Sequence, residues 1–261
     1  MLAGVIIMYY FYLEKQTLES GAEVELAAED VKHALNVLRL KPGDQVVIAD
    51  GMGKAFRSEI IAYESNNMKL RLQKTVASAE SPLKITLLQS LAKGDKMDRL
   101  IRQVVELGVS KIIPVATERS IPRLNLKQEQ KRIERWQKII KSAAAQSRRA
   151  CLPVIENFTK LESMLPKLRS EPVVVPWEEE QSASLERTLE NMPPLKKGGS
   201  LFVIIGPEGG FSKTEIENLR GAGAETVHLG PRILRTETAA VAVVTIAQLK
   251  WGDLAEERDF N

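Results

Sequence analysis

Two segments combine residue types and spacings suited to ligand chemistry. The first is Leu201-Phe-Val-Ile-Ile-Gly-Pro-Glu-Gly-Gly-Phe-Ser-Lys-Thr-Glu215. An apolar run enters a loop of glycine and proline and leaves into a helix, whose start is marked by the capping box Ser212-x-x-Glu215. The glycines let the backbone approach a ligand closely. The pattern is neither Gly-x4-Gly-Lys-Ser/Thr nor Gly-x-Gly-x-x-Gly, the phosphate and dinucleotide loops. Glu208 stands where a phosphate loop would carry a lysine, which suits a cationic or hydroxyl-bearing ligand. A plain strand-to-helix connection would also read this way.

The second segment is Leu229-Gly-Pro-Arg-Ile-Leu-Arg-Thr-Glu-Thr-Ala239. Again a strand ends in Gly-Pro and a helix follows. Thr236 is the expected N-cap, and Glu237 in the first turn suits the helix dipole. Arg235 does not: a cation at a helix N-terminus costs roughly 0.3–1 kcal/mol. Either an anionic substrate or an ion pair with Glu237 or Glu208 would compensate. The helix beyond, Ala239-Ala-Val-Ala-Val-Val-Thr-Ile-Ala247, is built of small and β-branched residues, which suits close packing in a core or at a subunit interface.

Other chemistries lack their residues. No Gly-x-Ser-x-Gly elbow is present, and neither His33 nor His228 lies near a nucleophile in sequence, which argues against a hydrolase triad. One Cys and two His leave no Cys/His zinc site. The lone Cys151 forms no intrachain disulfide and points to a reducing, cytoplasmic compartment. The longest apolar run, Met1–Leu13, is shorter than the roughly 20 residues of a bilayer span. It reads as a buried strand, and Glu14-Lys15 follow where a signal peptide would place its cleavage site.

Net charge is only +3, but its distribution is uneven. Residues 81–150 hold 16 Lys/Arg against 6 Asp/Glu, a balance of +10, so the remainder carries −7. The cations cluster as Lys93/Lys96/Arg99/Arg102, Arg119/Arg123, Lys131/Arg132/Arg135/Lys138/Lys141 and Arg148/Arg149. This is the footprint of a polyanion site, and nucleic acid fits better than membrane because no basic segment carries a bulky aromatic face. For Lys131–Lys141 a solvated helix face fits equally well.

These residues need elements to hold them. Residues 1–75 read as a small barrel-like module: strands at Gln45–Ala49, Phe56–Ala62 and Met68–Leu72, a hairpin turn at Asp50-Gly-Met-Gly53, a turn at Asn66-Asn67 and a helix over Ala28–Arg39. From Pro82 strands and helices alternate. Strands are expected at Leu83–Leu91, Lys111–Ala116, Pro172–Pro176, Leu201–Ile205 and Thr226–Leu229. Helices are expected at Lys96–Leu107, Gln128–Ala145, Leu185–Glu190, Ser212–Arg220 and Thr236–Trp251, with Pro193–Gly199 as a loop. Alternation of this kind predicts a parallel α/β sheet with ligands at the C-terminal ends of its strands.

Gly206-Pro-Glu-Gly-Gly-Phe-Ser together with Leu229–Ala239 resembles the 16S rRNA (uracil-1498-N3)-methyltransferases of the SPOUT superfamily. The resemblance runs through nearly the whole chain. Lys93-Gly-Asp-Lys-Met-Asp98, Glu106-Leu-Gly-Val109, Pro114 with Glu118-Arg-Ser120, Ala145-Gln-Ser-Arg148 with Pro153, and Trp251-Gly-Asp-Leu254 all follow in order. His33-x4-Leu38-Arg-Leu with Asp50-Gly-x-Gly53 fits the family's small PUA-like domain. Two departures stand out. Met8-Tyr-Tyr-Phe-Tyr-Leu lacks the Arg of the family's opening Arg-Phe-Phe-like run, so that Met1–Ile7 reads as an extension or Met8 as the start. The family's His pair is reduced to His33.

The resemblance implies a PUA-like RNA-binding domain over residues 1–75 and a SPOUT methyltransferase domain over 76–261. The latter would be a parallel sheet flanked by helices with a deep trefoil knot. It implies S-adenosylmethionine as cofactor, 16S rRNA of the small ribosomal subunit as partner, a homodimer, and no metal. Carried onto this sequence, the cofactor residues are Pro176, Trp177, Gly206, Pro207, Glu208, Gly209, Leu229, Gly230, Ile233, Leu234 and Thr236. Uracil N3 must lose its imide proton before it can attack a methyl group. Arg235 is therefore expected to stabilise the resulting charge, and Glu208 and Glu237 are the candidate bases. Lys93, Lys96, Arg99, Arg119, Arg148 and Arg149 are the expected RNA contacts. A methyltransferase of the same fold acting on a ribose 2′-hydroxyl or on guanine, and an RNA-binding module with a vestigial pocket, are the alternatives.

Overall fold

The computed structural model describes residues 8–14, 16–64, 67–77, 80–92, 94–120, 125–195 and 198–255. The expectations for Met1–Ile7, Asn66, Lys93 and Arg123 lie outside the described residues. The chain divides into two compact units, residues 1–80 with 144–152, and residues 81–143 with 153–261.

The first unit is a five-stranded sheet in the order β1-β3-β4-β5-β2, with β1 (Tyr10–Tyr12), β2 (Glu23–Glu25), β3 (Gln45–Ala49), β4 (Ala55–Glu64) and β5 (Asn67–Val76). β1 runs parallel to β3, and the other pairs are antiparallel. Along β5, Met68, Leu70 and Leu72 turn inward while their neighbours face out, the period-2 pattern of a half-buried strand. They pack with Phe11, Ile48, Phe56 and Ile60, and with Val31 and Ala34 of α1 (Ala28–Asn36). The Asp50–Gly53 turn joins β3 to β4 as expected. Asp50 Oδ1 accepts the backbone N–H groups of Met52 (2.7 Å) and Lys54 (3.0 Å), so the aspartate braces its own turn.

Residues 144–152 fall on the far side of the expected 75/76 boundary, yet they pack with this first unit. Arg149 is the reason. Its Nη2 bonds Glu80 at 2.8 Å, Glu80 Oε1 accepts the N–H of Cys151 (3.0 Å), and the Tyr12 hydroxyl donates to the Arg149 carbonyl (2.7 Å). Burial pushes the Tyr12 phenol well above its ordinary pKa, so it stays a donor.

The second unit is a parallel sheet in the order β12-β10-β11-β6-β7-β8, with β9 beside β7. Its strands are β6 (Lys84–Ser90), β7 (Lys111–Ala116), β8 (Val154–Ile155), β9 (Thr159–Lys160), β10 (Val173–Pro176), β11 (Ser200–Ile205) and β12 (Glu225–Val227). Its helices are α2 (Lys96–Glu106), α3 (Leu126–Gln146), α4 (Leu161–Leu168), α5 (Leu185–Asn191), α6 (Lys213–Gly221) and α7 (Thr236–Trp251). One sheet face, with Leu88, Ile113, Val173 and Ile204, packs on Met164, Leu168, Ile216 and Leu219 of α4 and α6. By alternation Leu87, Ile112, Val174 and Val203 point the other way, and all four are fully buried. α7 packs on β11 and on α2. Gly108 ends α2 at φ +86°, and a Cβ there would come within 2.7 Å of Gln248 Nε2 on α7. The helix-stop glycine is thus also the point of close approach between α2 and α7.

Candidate cofactor cleft

The C-terminal ends of β10, β11 and β12 open into one cleft of about 890 Å³, a size typical of ligand sites. Three loops form it: 176–181 after β10, 205–211 after β11, and 228–236 between β12 and α7. This is the crevice that open parallel sheets present at strand C-termini near a reversal of strand order. All eleven expected cofactor residues line it: Pro176, Trp177, Gly206, Pro207, Glu208, Gly209, Leu229, Gly230, Ile233, Leu234 and Thr236.

The loops are pinned from behind by a buried polar chain. Gln89, at the end of β6, is fully buried; its Nε2 donates to Thr236 Oγ1 (3.0 Å) and to the Ser90 carbonyl (2.9 Å). Thr236 Oγ1 in turn donates to the Gly206 carbonyl (2.7 Å). The N-cap of α7 is therefore Arg235, not the expected Thr236, because the threonine hydroxyl is spent joining β6, β11 and α7. The capping box of α6 forms as expected, and Glu215 Oε1 also accepts the Glu118 N–H (2.8 Å).

The 176–181 loop has its own brace. Glu180 accepts from the Ser182 hydroxyl (2.7 Å) and backbone N–H (3.0 Å), the Thr226 hydroxyl (2.8 Å), and Arg220 Nη2 (2.7 Å). These bonds, led by Ser182, hold its pKa down at about 2. Arg220 also lies over the Trp177 ring, 5.3 Å from its centroid. At Gly210, φ is +69° and a Cβ would fall 1.9 Å from Glu178 Oε1, so the loop closes over Glu178 only as glycine. Gly230, at φ +90°, has open space where a Cβ would stand.

Polar groups converge on the cleft. Trp177 Nε1 is buried without a hydrogen-bond partner among the described residues. The Gly230 N–H donates to His228 Nδ1 (3.2 Å), so a neutral ring carries its proton on Nε2. Ile233 is 88% exposed, an apolar side chain awaiting cover. Arg235 lines the cleft and has no ion pair among the described residues, so the expected bond to Glu237 or Glu208 is not made. Glu208 instead meets Lys96 Nζ at 2.9 Å. Both partners are about one-third exposed, and such a pair is worth about 0–1 kcal/mol, cheap to exchange for a ligand. Glu237 does not line the cleft; its Oε2 is buried without a partner among the described residues. Among the described residues no group of three or more His, Cys, Asp or Glu gathers as a metal site.

The expected RNA contacts scatter. Lys96 is in the cleft, and Arg99 pairs with Asp95 (3.2 Å) on the surface. Arg119 is exposed but its Nη1 donates to the Gly209 carbonyl (3.1 Å), so it braces the 205–211 loop. Arg148 is exposed, at φ +59°. Arg149 is a correction: it is 4% exposed and spends its guanidinium on Glu80, which leaves none for a phosphate. Sequence reasoning missed Glu180 and His228. The signal for Glu180 was the serine two residues on, able to cap the carboxylate; for His228 it was the glycine two residues on.

Comparison with known proteins agrees with this geometry. The RNA methyltransferase domain family matches residues 79–248, and the RNA methyltransferase PUA domain family matches residues 26–73. The ribosomal RNA small subunit methyltransferase E of Bacillus subtilis is 34% identical over 88% of this chain and 91% of its own. That of Buchnera aphidicola subsp. Schizaphis graminum is 32% identical over 92% and 96%. The crystal structure of the Neisseria gonorrhoeae ribosomal RNA small subunit methyltransferase E bound to S-adenosyl methionine superposes with a TM-score of 0.84 at 36% identity, covering 94% of this chain and 99% of that one.

Proposed function

This chain belongs to the RNA methyltransferase family that pairs a PUA domain with an RNA methyltransferase domain, and on that premise we propose that it methylates N3 of the uridine at position 1498 of 16S rRNA, using S-adenosylmethionine. The observation that carries the reading is the convergence of the three loops on one cleft, with Gly206–Gly210 and Leu229–Thr236 offering backbone and Trp177 an unspent buried N–H. Those residues fit the cofactor, and the Neisseria gonorrhoeae relative, similar over nearly its full length, is bound to it.

The bound cofactor supplies an already activated sulfonium methyl. The chain supplies the rest. Its loops hold the target base edge toward the cofactor, a positioning task. Glu208, in the cleft, accepts the imide proton of N3; Glu237, outside it, does not. Negative charge then spreads over O2 and O4, and Arg235, which has no ion pair among the described residues, stabilises it. The base must be unpaired or flipped to reach the cleft.

A homodimer is part of the proposal. α7 carries apolar residues on its outer as well as its inner side, and Ile246 and Leu249 remain 38% and 56% exposed. The trefoil knot is part of it too. After β11 the chain passes to β12, beyond β10, then returns through 228–235 to α7 against β11, the kind of return a knotted C-terminus needs. A ribosomal RNA substrate and the lone Cys151 both support a cytoplasmic setting.

The test is mass analysis of 16S rRNA from cells with and without the gene. Loss of one N3-methyluridine supports the reading. Loss of a ribose methyl or a methylguanine instead would replace it.

A further inference from the structure

The basic cluster of α3 does not stand alone in the fold. Lys131, Arg135 and Lys138 line a groove of about 450 Å³ together with Arg102 of α2; Glu134, Ile139 and Ser142 complete it. Positions 131, 135, 138 and 142 share one helix face and span about 16 Å of axis. All four cations are exposed. One carboxylate, Glu134, faces them, and it already accepts from Gln130 Nε2 (3.0 Å). Arg135 is held at the wall by Asp98, whose other oxygen takes the Trp136 indole N–H (3.0 Å). Arg102 and Lys131 have no ion pair among the described residues.

A face exposed only to solvent gains from opposite charges at i, i+4. Here Lys131 and Arg135 are like charges at that spacing, and Arg135 and Lys138 are like charges at i, i+3. Asp98 offsets Arg135 and Glu134 stands i, i+4 from Lys138, so the charge left over in the groove is chiefly that of Lys131 and of Arg102 across from it, which gain from a polyanion. The groove also lacks the buried aromatic anchor that a protein partner would engage. Lys96, the first residue of α2, lines the cofactor cleft, and Arg102 lies about 9 Å further along the same helix axis. α2 therefore contributes side chains to both the cleft and the groove.

We propose that the α2–α3 groove is a second RNA surface, which binds the phosphate backbone of the rRNA flanking the target nucleotide. It rests on the reading of the protein as an rRNA methyltransferase. Recognition here is electrostatic and blind to sequence, and it orients the strand while the cleft selects the base.

The test is the variant Arg102→Ala/Lys131→Ala/Lys138→Ala, compared with wild type for binding to naked 16S rRNA between about 50 and 200 mM salt, the range over which phosphate contacts weaken most visibly. Each lost contact should flatten the slope of log K against log salt by roughly 0.7–0.9, so the triple variant should lose about 2 units of slope. Its S-adenosylmethionine affinity and melting temperature should equal those of wild type. An unchanged slope overturns the proposal. So does normal binding to naked rRNA with weakened binding to assembled subunits, which would assign the groove to a ribosomal protein. Methylation by the wild-type protein, run in parallel, separates the two ideas: its absence sinks the functional reading, and its presence beside an unchanged slope sinks only the groove.

Discussion

Arg235 occupies a position that a helix disfavours, and no carboxylate among the described residues pairs with it. A side chain kept there at a cost is expected to act on the ligand. Arg235→Ala should lower the single-turnover rate by about 10²–10³ while the protein stays folded. Lysine should restore only part of it, since it offers a point charge in place of a planar fork. Single-turnover rates beside thermal melts decide it, and a folded alanine variant of near-normal rate ends the assignment. Glu180 makes a different kind of claim, on stability. Its carboxyl titrates near 2 in the fold and near 4.5 unfolded, so its contribution is present above pH 4.5 and is lost as pH falls toward 2. Glu180→Gln should therefore melt below wild type at pH 7, and the gap should close progressively between pH 4.5 and pH 2. A gap that stays constant with pH would mean the bonds to Ser182 and Thr226 do not distinguish the charged form.

Helices and strands matter to the cleft through their ends. β6 contributes Gln89, α7 contributes Thr236, and β11 delivers the Gly206 carbonyl, and one hydroxyl links all three. Thr236→Val keeps the shape but removes the acceptor of one Gln89 amide N–H and the donor to the Gly206 carbonyl. Leaving a buried polar group unsatisfied costs about 1–3 kcal/mol. Denaturant melts should show that loss, and calorimetry should show weaker S-adenosylmethionine binding, because both loops lose their common anchor. Stability lowered with cofactor affinity untouched would show that the chain serves the core alone. The α6 loop has a second brace on its outer side, where Arg119 holds the Gly209 carbonyl.

The proposed dimer turns on α7. Its inner residues, among them Ala240, Val243, Val244 and Ala247, are buried against the sheet and α2, while Ile246 and Leu249 face out. An apolar helix with an uncovered side is stable in water when a second copy covers it. Leu249→Asp, with Ile246→Asp if needed, should convert a dimer to a monomer in sedimentation experiments while the circular dichroism spectrum is retained. A wild-type protein that sediments as a monomer would refute the proposed dimer outright.

Much of this could be read along the chain. The spans of β3, β7 and α7 match the expected ones residue for residue, and the α6 capping box forms as expected. Local rules govern these features: turn chemistry, capping and the periods of 2 and 3.6 residues all act within a few positions. Elements too short to show a period escaped notice, among them β2, β8 and β9, as did α4 with Pro166 inside it. The two glycine-proline loops that line the cleft were legible as well, since glycine, proline and a helix start advertise a backbone built for close approach. What the residues do for one another was not. Glu208 meets Lys96 across 112 positions, Arg149 meets Glu80 across 69, and Arg102 joins Lys131, Arg135 and Lys138 across the α2–α3 groove. The first of those pairings depends on a strand order that sets β11 beside β6, and the last on the packing of α2 and α3, joined by Asp98 to Arg135 and Trp136. A parallel sheet brings together segments that share no local signal, so the chain alone determines which loops can hold a ligand, and tertiary packing decides which charges are left free to work on it.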